Sequence, residues 1–118
     1  MKKLNVVLAD DAPFIRDILK QLLTRQGHTV VGEAENGEQA LRIALEKNPD
    51  LVIMDIVMPL MSGVQATKEI KEKNPKIKIV ACSTLDQENM LTKIIEAGAE
   101  DFISKPFDVK NVMTIIEK

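Results

Sequence analysis

Several residues able to do chemistry stand at the ends of apolar runs. Leu51-Val52-Ile53-Met54 runs into Asp55, and Leu4 to Ala9 runs into Asp10-Asp11. Lys78 to Cys82 ends at Ser83-Thr84, and Asp101 to Ser104 ends at Lys105-Pro106. Three carboxylates gathered in one place repel and raise one another's pKa, so they call for a cation. Mg2+ takes carboxylate oxygens, keeps several waters and is normally shared with a phosphoryl group. Lys105 offers a second, movable positive charge. A hydroxyl can donate to a phosphoryl oxygen. A carboxylate beside such a metal can attack phosphorus to form an aspartyl phosphate. Metal and lysine would neutralise the charge spread over the transferring group. Each residue also has a plainer role. The acids and hydroxyls can cap the helices that follow, and Lys105 can be a solvated surface lysine.

These residues are far apart in the chain, so only a shared sheet edge can gather them. The apolar, β-branched runs predict strands over 4–9, 29–34, 51–55, 78–82 and 101–104. The second contains Gly32 and reads as an edge strand. The run through Asp55 is continuously apolar, as expected of a strand buried on both faces of a parallel sheet. Pro13 opens a helix whose Phe14, Ile15, Ile18, Leu19, Leu22 and Leu23 form one buried face, closed by Gly27. A second helix spans 37–47, with Ala40, Leu41, Ala44 and Leu45 inward and Asn48-Pro49-Asp50 as its stop. Three more are predicted over 63–72, 87–97 and 109–117.

Strand and helix alternate five times. The fold class is therefore α/β, a doubly wound five-stranded parallel sheet of flavodoxin-like order 2-1-3-4-5, (βα)5. An eight-unit barrel needs about twice this length. In that order the first, third, fourth and fifth strands are neighbours about 4.8 Å apart, with their carboxyl ends on one edge.

A chain of 118 residues, 45% hydrophobic and 29% charged, is one soluble globular domain, 1–118. A net charge of −2 gives no clustered basic excess for nucleic acid or an anionic membrane. The single Cys82 excludes an internal disulfide and fits a reducing cytoplasm. No apolar span is long enough for a signal peptide or a transmembrane helix.

With these pieces assembled, the chain resembles the receiver domains of two-component response regulators. The resemblance rests on Asp10-Asp11, on Asp55 with Met58-Pro59 and Gly63, and on Ser83-Thr84, Gly98-Ala99 and Lys105-Pro106-Phe107. It covers the whole length, leaves no room for an output domain, and is nearest the stand-alone chemotaxis type. The resemblance implies Asp55 as phosphoacceptor from a histidine kinase. It implies Asp10, Asp11, Asp55 and the main-chain carbonyl of Val57 as ligands of Mg2+, with Lys105 contacting the phosphoryl group. Ser83 would be the switch hydroxyl and Phe102 the switch aromatic, where many relatives have Tyr. No phenol can then hydrogen-bond a target. Leu91, Phe102 and Ile115 would lie on the signalling surface, facing a target such as a flagellar motor switch component, whereas Ile95 and Phe107 read as core. The chain would be no enzyme beyond its own phosphorylation and dephosphorylation. Val57 and Leu85, both apolar, would flank the path of the hydrolytic water, which predicts slow autodephosphorylation or reliance on a separate phosphatase.

Other readings remain. A single-domain phosphorelay intermediate shares every feature above. A flavodoxin-like ligand-binding module shares the topology, but Asp10-Asp11 would repel its phosphate. A haloacid-dehalogenase-type phosphatase needs a second Asp where Val57 stands.

Overall fold

The computed structural model describes residues 2–117. Five strands, β1 (Asn5–Ala9), β2 (Thr29–Ala34), β3 (Leu51–Asp55), β4 (Lys78–Ser83) and β5 (Asp101–Ser104), form one sheet in the order β2-β1-β3-β4-β5. Every pair is parallel. The helices are α1 (Pro13–Arg25), α2 (Gly37–Lys47), α3 (Gly63–Lys73), α4 (Glu88–Ala97) and α5 (Val109–Ile116), with a 3-10 turn over Leu85–Gln87 before α4. This is the predicted class and order.

Strand periodicity splits the core in two. Val7, Ala9, Val52, Met54, Ile79 and Ala81 face α2, α3 and α4, where they meet Ala40, Ala44, Ala66, Ile70 and Ile94. Their alternates Val6, Leu8, Leu51, Ile53, Val80, Cys82 and Ile103 face Leu19, Leu22 and Leu23 of α1 and Val112 and Ile116 of α5. Successive side chains of a strand point to opposite faces, so a buried strand must be apolar throughout. All five residues of β3, Asp55 included, are buried.

The helix faces are narrower than predicted. Phe14, Ile18, Leu45 and Ile95 are exposed (64%, 46%, 38% and 41%), while Ile15 is half-buried and Leu19, Ala44 and Ile94 are buried. In these four doublets only one member turns to the sheet, because a one-residue step rotates the side chain by about 100°, whereas Leu22 and Leu23 are both buried. Ile95 is thus not core. Phe107 packs against the α1/α5 core as expected.

Local chemistry sets where the helices begin and end. Asn36 and Ser62 cap α2 and α3 by accepting from Gln39 N and Gln65 N. Ala12 precedes α1 with no side-chain cap, so neither Asp10 nor Asp11 is spent as its N-cap. Gly98 ends α4 with φ 124°, a left-handed turn suited to glycine.

Candidate functional site

The carboxyl edge of the sheet brings the predicted residues together. Asp10 follows β1, Asp55 ends β3, Ser83 ends β4 and Lys105 follows β5. Ligand oxygens of Asp10, Asp11 and Asp55 lie within 4.8 Å of one another. Asp10 and Asp55 are buried and Asp11 is exposed, so the cluster has a floor and an open side. Lys105 Nζ lies 2.9 Å from Asp10 Oδ2 and 3.4 Å from Asp55 Oδ1.

Each polar atom of Asp10 is engaged. Its N–H donates to Ala34 O (3.0 Å), and its Oδ1 accepts from Ala12 N (2.9 Å). Its Oδ2 accepts from Lys105, and its carbonyl accepts from Arg16 Nη1 at 2.6 Å. Asp55 contrasts with it. Its Oδ1 is buried and makes no well-formed hydrogen bond; the Lys105 ammonium, 3.4 Å away, pairs with it as an ion. A buried acceptor without a donor is costly. Burial, reinforced by the charge of Asp10, pushes the Asp55 carboxyl up to about 6, and Lys105 only partly offsets this. Burial alone would lower the Lys105 ammonium. The Asp10 hydrogen bond and the charges of Asp55 and Asp10 outweigh it, and the net shift is upward.

These residues fit a divalent cation. An acid cluster at ligand spacing has one buried oxygen without a hydrogen bond, and one lysine is shared between two of its acids.

Ser83 is buried at the end of β4, and its carbonyl accepts from Lys105 N at 2.8 Å, which ties the lysine's backbone to the hydroxyl-bearing strand. The Lys105–Pro106 peptide bond is cis. The Thr84 hydroxyl donates to Asp86 instead. Val57 follows the site with its side chain half exposed. The side chain of Leu85 lies outside the described residues. Phe102 is 41% exposed and lines a shallow groove with Leu91, Ile95, Glu96 and Glu100, while Ile115 is half-buried against the α1/α5 core.

Arg16 and Glu33 were not anticipated from the sequence. Arg16 Nε donates to Glu33 Oε1 at 3.1 Å while its Nη1 holds the Asp10 carbonyl. The available signal was a long cation one turn into α1, six residues after Asp10.

The family model for the response regulator receiver domain matches residues 6–117. The chain is 46% identical over 114 residues to the chemotaxis protein CheY of Bacillus subtilis, covering 97% of this chain and 95% of that protein. It is 45% identical over 114 residues to CheY of Thermotoga maritima, with the same coverage. Among solved structures, a LuxR-family two-component response regulator from Aurantimonas superposes with a TM-score of 0.90 at 30% identity, over 98% of this chain and 84% of that one. The response regulator domain of Thermotoga maritima CheB gives 0.82 at 32%, over 98% and 87%. The strand order, the edge of acids and lysine, and these matches lead to one conclusion: the chain belongs to the response regulator receiver domain family.

Proposed function

We propose that residues 1–118 act as one receiver domain that takes a phosphoryl group on Asp55 from a histidine kinase. A carboxylate oxygen of Asp55 attacks the phosphorus of a phosphohistidine, the P–N bond breaks, and the imidazole leaves with the electron pair. The observation that carries this reading is the buried Oδ1 of Asp55, without a hydrogen bond, among two further acids and Lys105. Asp10, Asp11, Asp55 and the main-chain carbonyl of Val57 would hold Mg2+, which supplies positive charge against the phosphoryl oxygens. Lys105 would supply the second charge, and Ser83 would donate its hydroxyl to a phosphoryl oxygen once the group is in place. As Ser83 moves in, Phe102 turns from the exposed position into the space released, a two-position element biased by the phosphoryl group.

Incubation with acetyl phosphate and Mg2+ should add one phosphoryl mass, with nothing added without Mg2+ or in Asp55→Asn. Equal labelling of Asp55→Asn overturns the assignment.

The two CheY proteins, matched along nearly their whole length, support a role in chemotaxis. The target would be a component such as the flagellar motor switch, docking at the groove around Phe102, and the chain would work in the cytoplasm. No described helix is long and apolar enough to cross a membrane. The chain's chemistry would be confined to its own phosphoryl group. Val57 cannot orient a water, so that group should be long-lived or need a phosphatase. Val57→Asn supplies a polar side chain at the mouth and should shorten the lifetime about 10-fold, less than the ~100-fold or more of a direct acid–base group because its effect on the water is indirect. The check is mass-resolved decay at saturating Mg2+; an unchanged rate removes Val57 from control of hydrolysis.

A further inference from the structure

Two of the site's acids, Asp10 and Asp11, sit on the loop after β1, and a loop needs something to hold it. Arg16 does this from one turn along α1. Its guanidinium is a fork, with Nη1 at 2.6 Å from the carbonyl of Asp10 and Nε at 3.1 Å from Glu33 Oε1 on β2. Glu33 Oε2 lies 3.5 Å from Lys20 Nζ, one further turn along α1. The Arg16 side chain is only 15% exposed, so the pair is partly shielded from water. One planar group thus joins the end of β1, the edge strand β2 and the first turn of α1.

We propose that Arg16 and Glu33 form a clasp that positions Asp10 and Asp11 for cation binding. The inference rests on the reading of the acid cluster as a Mg2+ site. Arg16 touches neither cation nor phosphoryl group; it is a positioning residue that acts through the backbone of Asp10. Its charge argues the other way, which makes the inference decidable. A guanidinium beside an acid cluster repels Mg2+ through space, so a purely electrostatic account makes removal of Arg16 strengthen metal binding. A clasp makes the same removal weaken it, because the loop no longer aims both carboxylates at Asp55. Lysine cannot substitute. A single ammonium has the charge but not the fork that spans the Asp10 carbonyl and Glu33 together.

The experiment titrates the full chain with Mg2+ and follows the amide resonances of residues 10–12. Arg16→Met should weaken Mg2+ binding about 10-fold, the usual scale for a residue that orients a metal ligand. Arg16→Lys should weaken it too and gives a second reading of the sign if the Met variant fails to fold. Arg16→Met with Glu33→Met removes one charge of each sign, so net charge is unchanged, and it should bind as weakly as Arg16→Met alone. Labelling by acetyl phosphate should recover in all three at saturating Mg2+, since Asp55, Lys105 and Ser83 are intact. Unchanged or tighter Mg2+ binding by Arg16→Met, or parental binding by the double variant, overturns the clasp. A parent protein that neither binds Mg2+ nor labels at Asp55 overturns the underlying reading as well. A binding, labelling parent with unaffected variants overturns the clasp alone.

Discussion

Asp55→Asn should make the metal-free protein more stable at about pH 7.5, and the gain should vanish by about pH 4. The Asp55 carboxyl is pushed up to about 6 from an ordinary 3.8, chiefly by burial and then by Asp10. A group whose folded pKa exceeds its unfolded one supports folding fully below the unfolded pKa. That support is lost as pH rises through the folded pKa. The window therefore runs from about 4 to about 6, and above it the ionised carboxylate destabilises the fold. At about 1.36 kcal/mol per pH unit the difference is on the order of 3 kcal/mol. Asn has nearly the same shape without the charge, so it removes the penalty at neutral pH. Far-UV circular dichroism in urea is the suitable probe, since the chain has no Trp or Tyr. Saturating Mg2+ should reverse the order by stabilising the parent alone, as a ligand of the folded state does. Coincident urea midpoints of metal-free parent and variant at about pH 7.5 would show that Asp55 bears no such penalty.

Gly63→Ala should cost about 3 kcal/mol, at the upper end for overpacking a close-packed site. A Cβ on Gly63 would meet the carbonyl oxygen of Asp55 at 2.0 Å, far inside any real contact. The neighbour is backbone, not the end of a flexible side chain, so relief requires moving the end of β3 or the start of α3. Gly63 N donates to Ile56 O at 2.8 Å, and that bond holds the loop closed against the strand end. The substitution therefore disturbs the residue proposed to take the phosphoryl group. Its urea midpoint should fall, and labelling of Asp55 should fall with it even where the variant is folded. A variant with the parent's midpoint would mean that the loop opens without cost.

The strands were legible because a sheet covered on both faces forces continuous apolar runs, and the acids, hydroxyls or lysine that end the runs of β1, β3, β4 and β5 mark their carboxyl ends. Gathering Asp10, Asp55 and Lys105 therefore required only the strand order. The helix faces were less legible. Phe14, Ile18, Leu45 and Ile95 are chemically indistinguishable from their buried neighbours, and hydrophobicity alone does not tell which member of a doublet turns inward. Phe14 and Ile18 widen an apparent stripe that the sheet does not use. What no pattern encodes is pairing across long separations. The bond from Lys105 to Asp10 spans 95 positions, and the fork of Arg16 joins two elements through a main-chain carbonyl. Both arise from side-chain reach in the folded state.

The bond between Lys105 and Asp10 makes the protein supply its own counter-ion. A cation that uses this oxygen competes with an ammonium already in place. A univalent ion brings no more charge than the group it evicts, and it must also shed water to enter. A divalent ion brings twice the charge and can engage Asp11 and Asp55 at the same time. On the reading of this cluster as a cation site, the internal lysine would weight that competition toward divalent ions and against monovalent ones. The same ammonium lies 3.4 Å from Asp55, where its charge would also be available to a new anion.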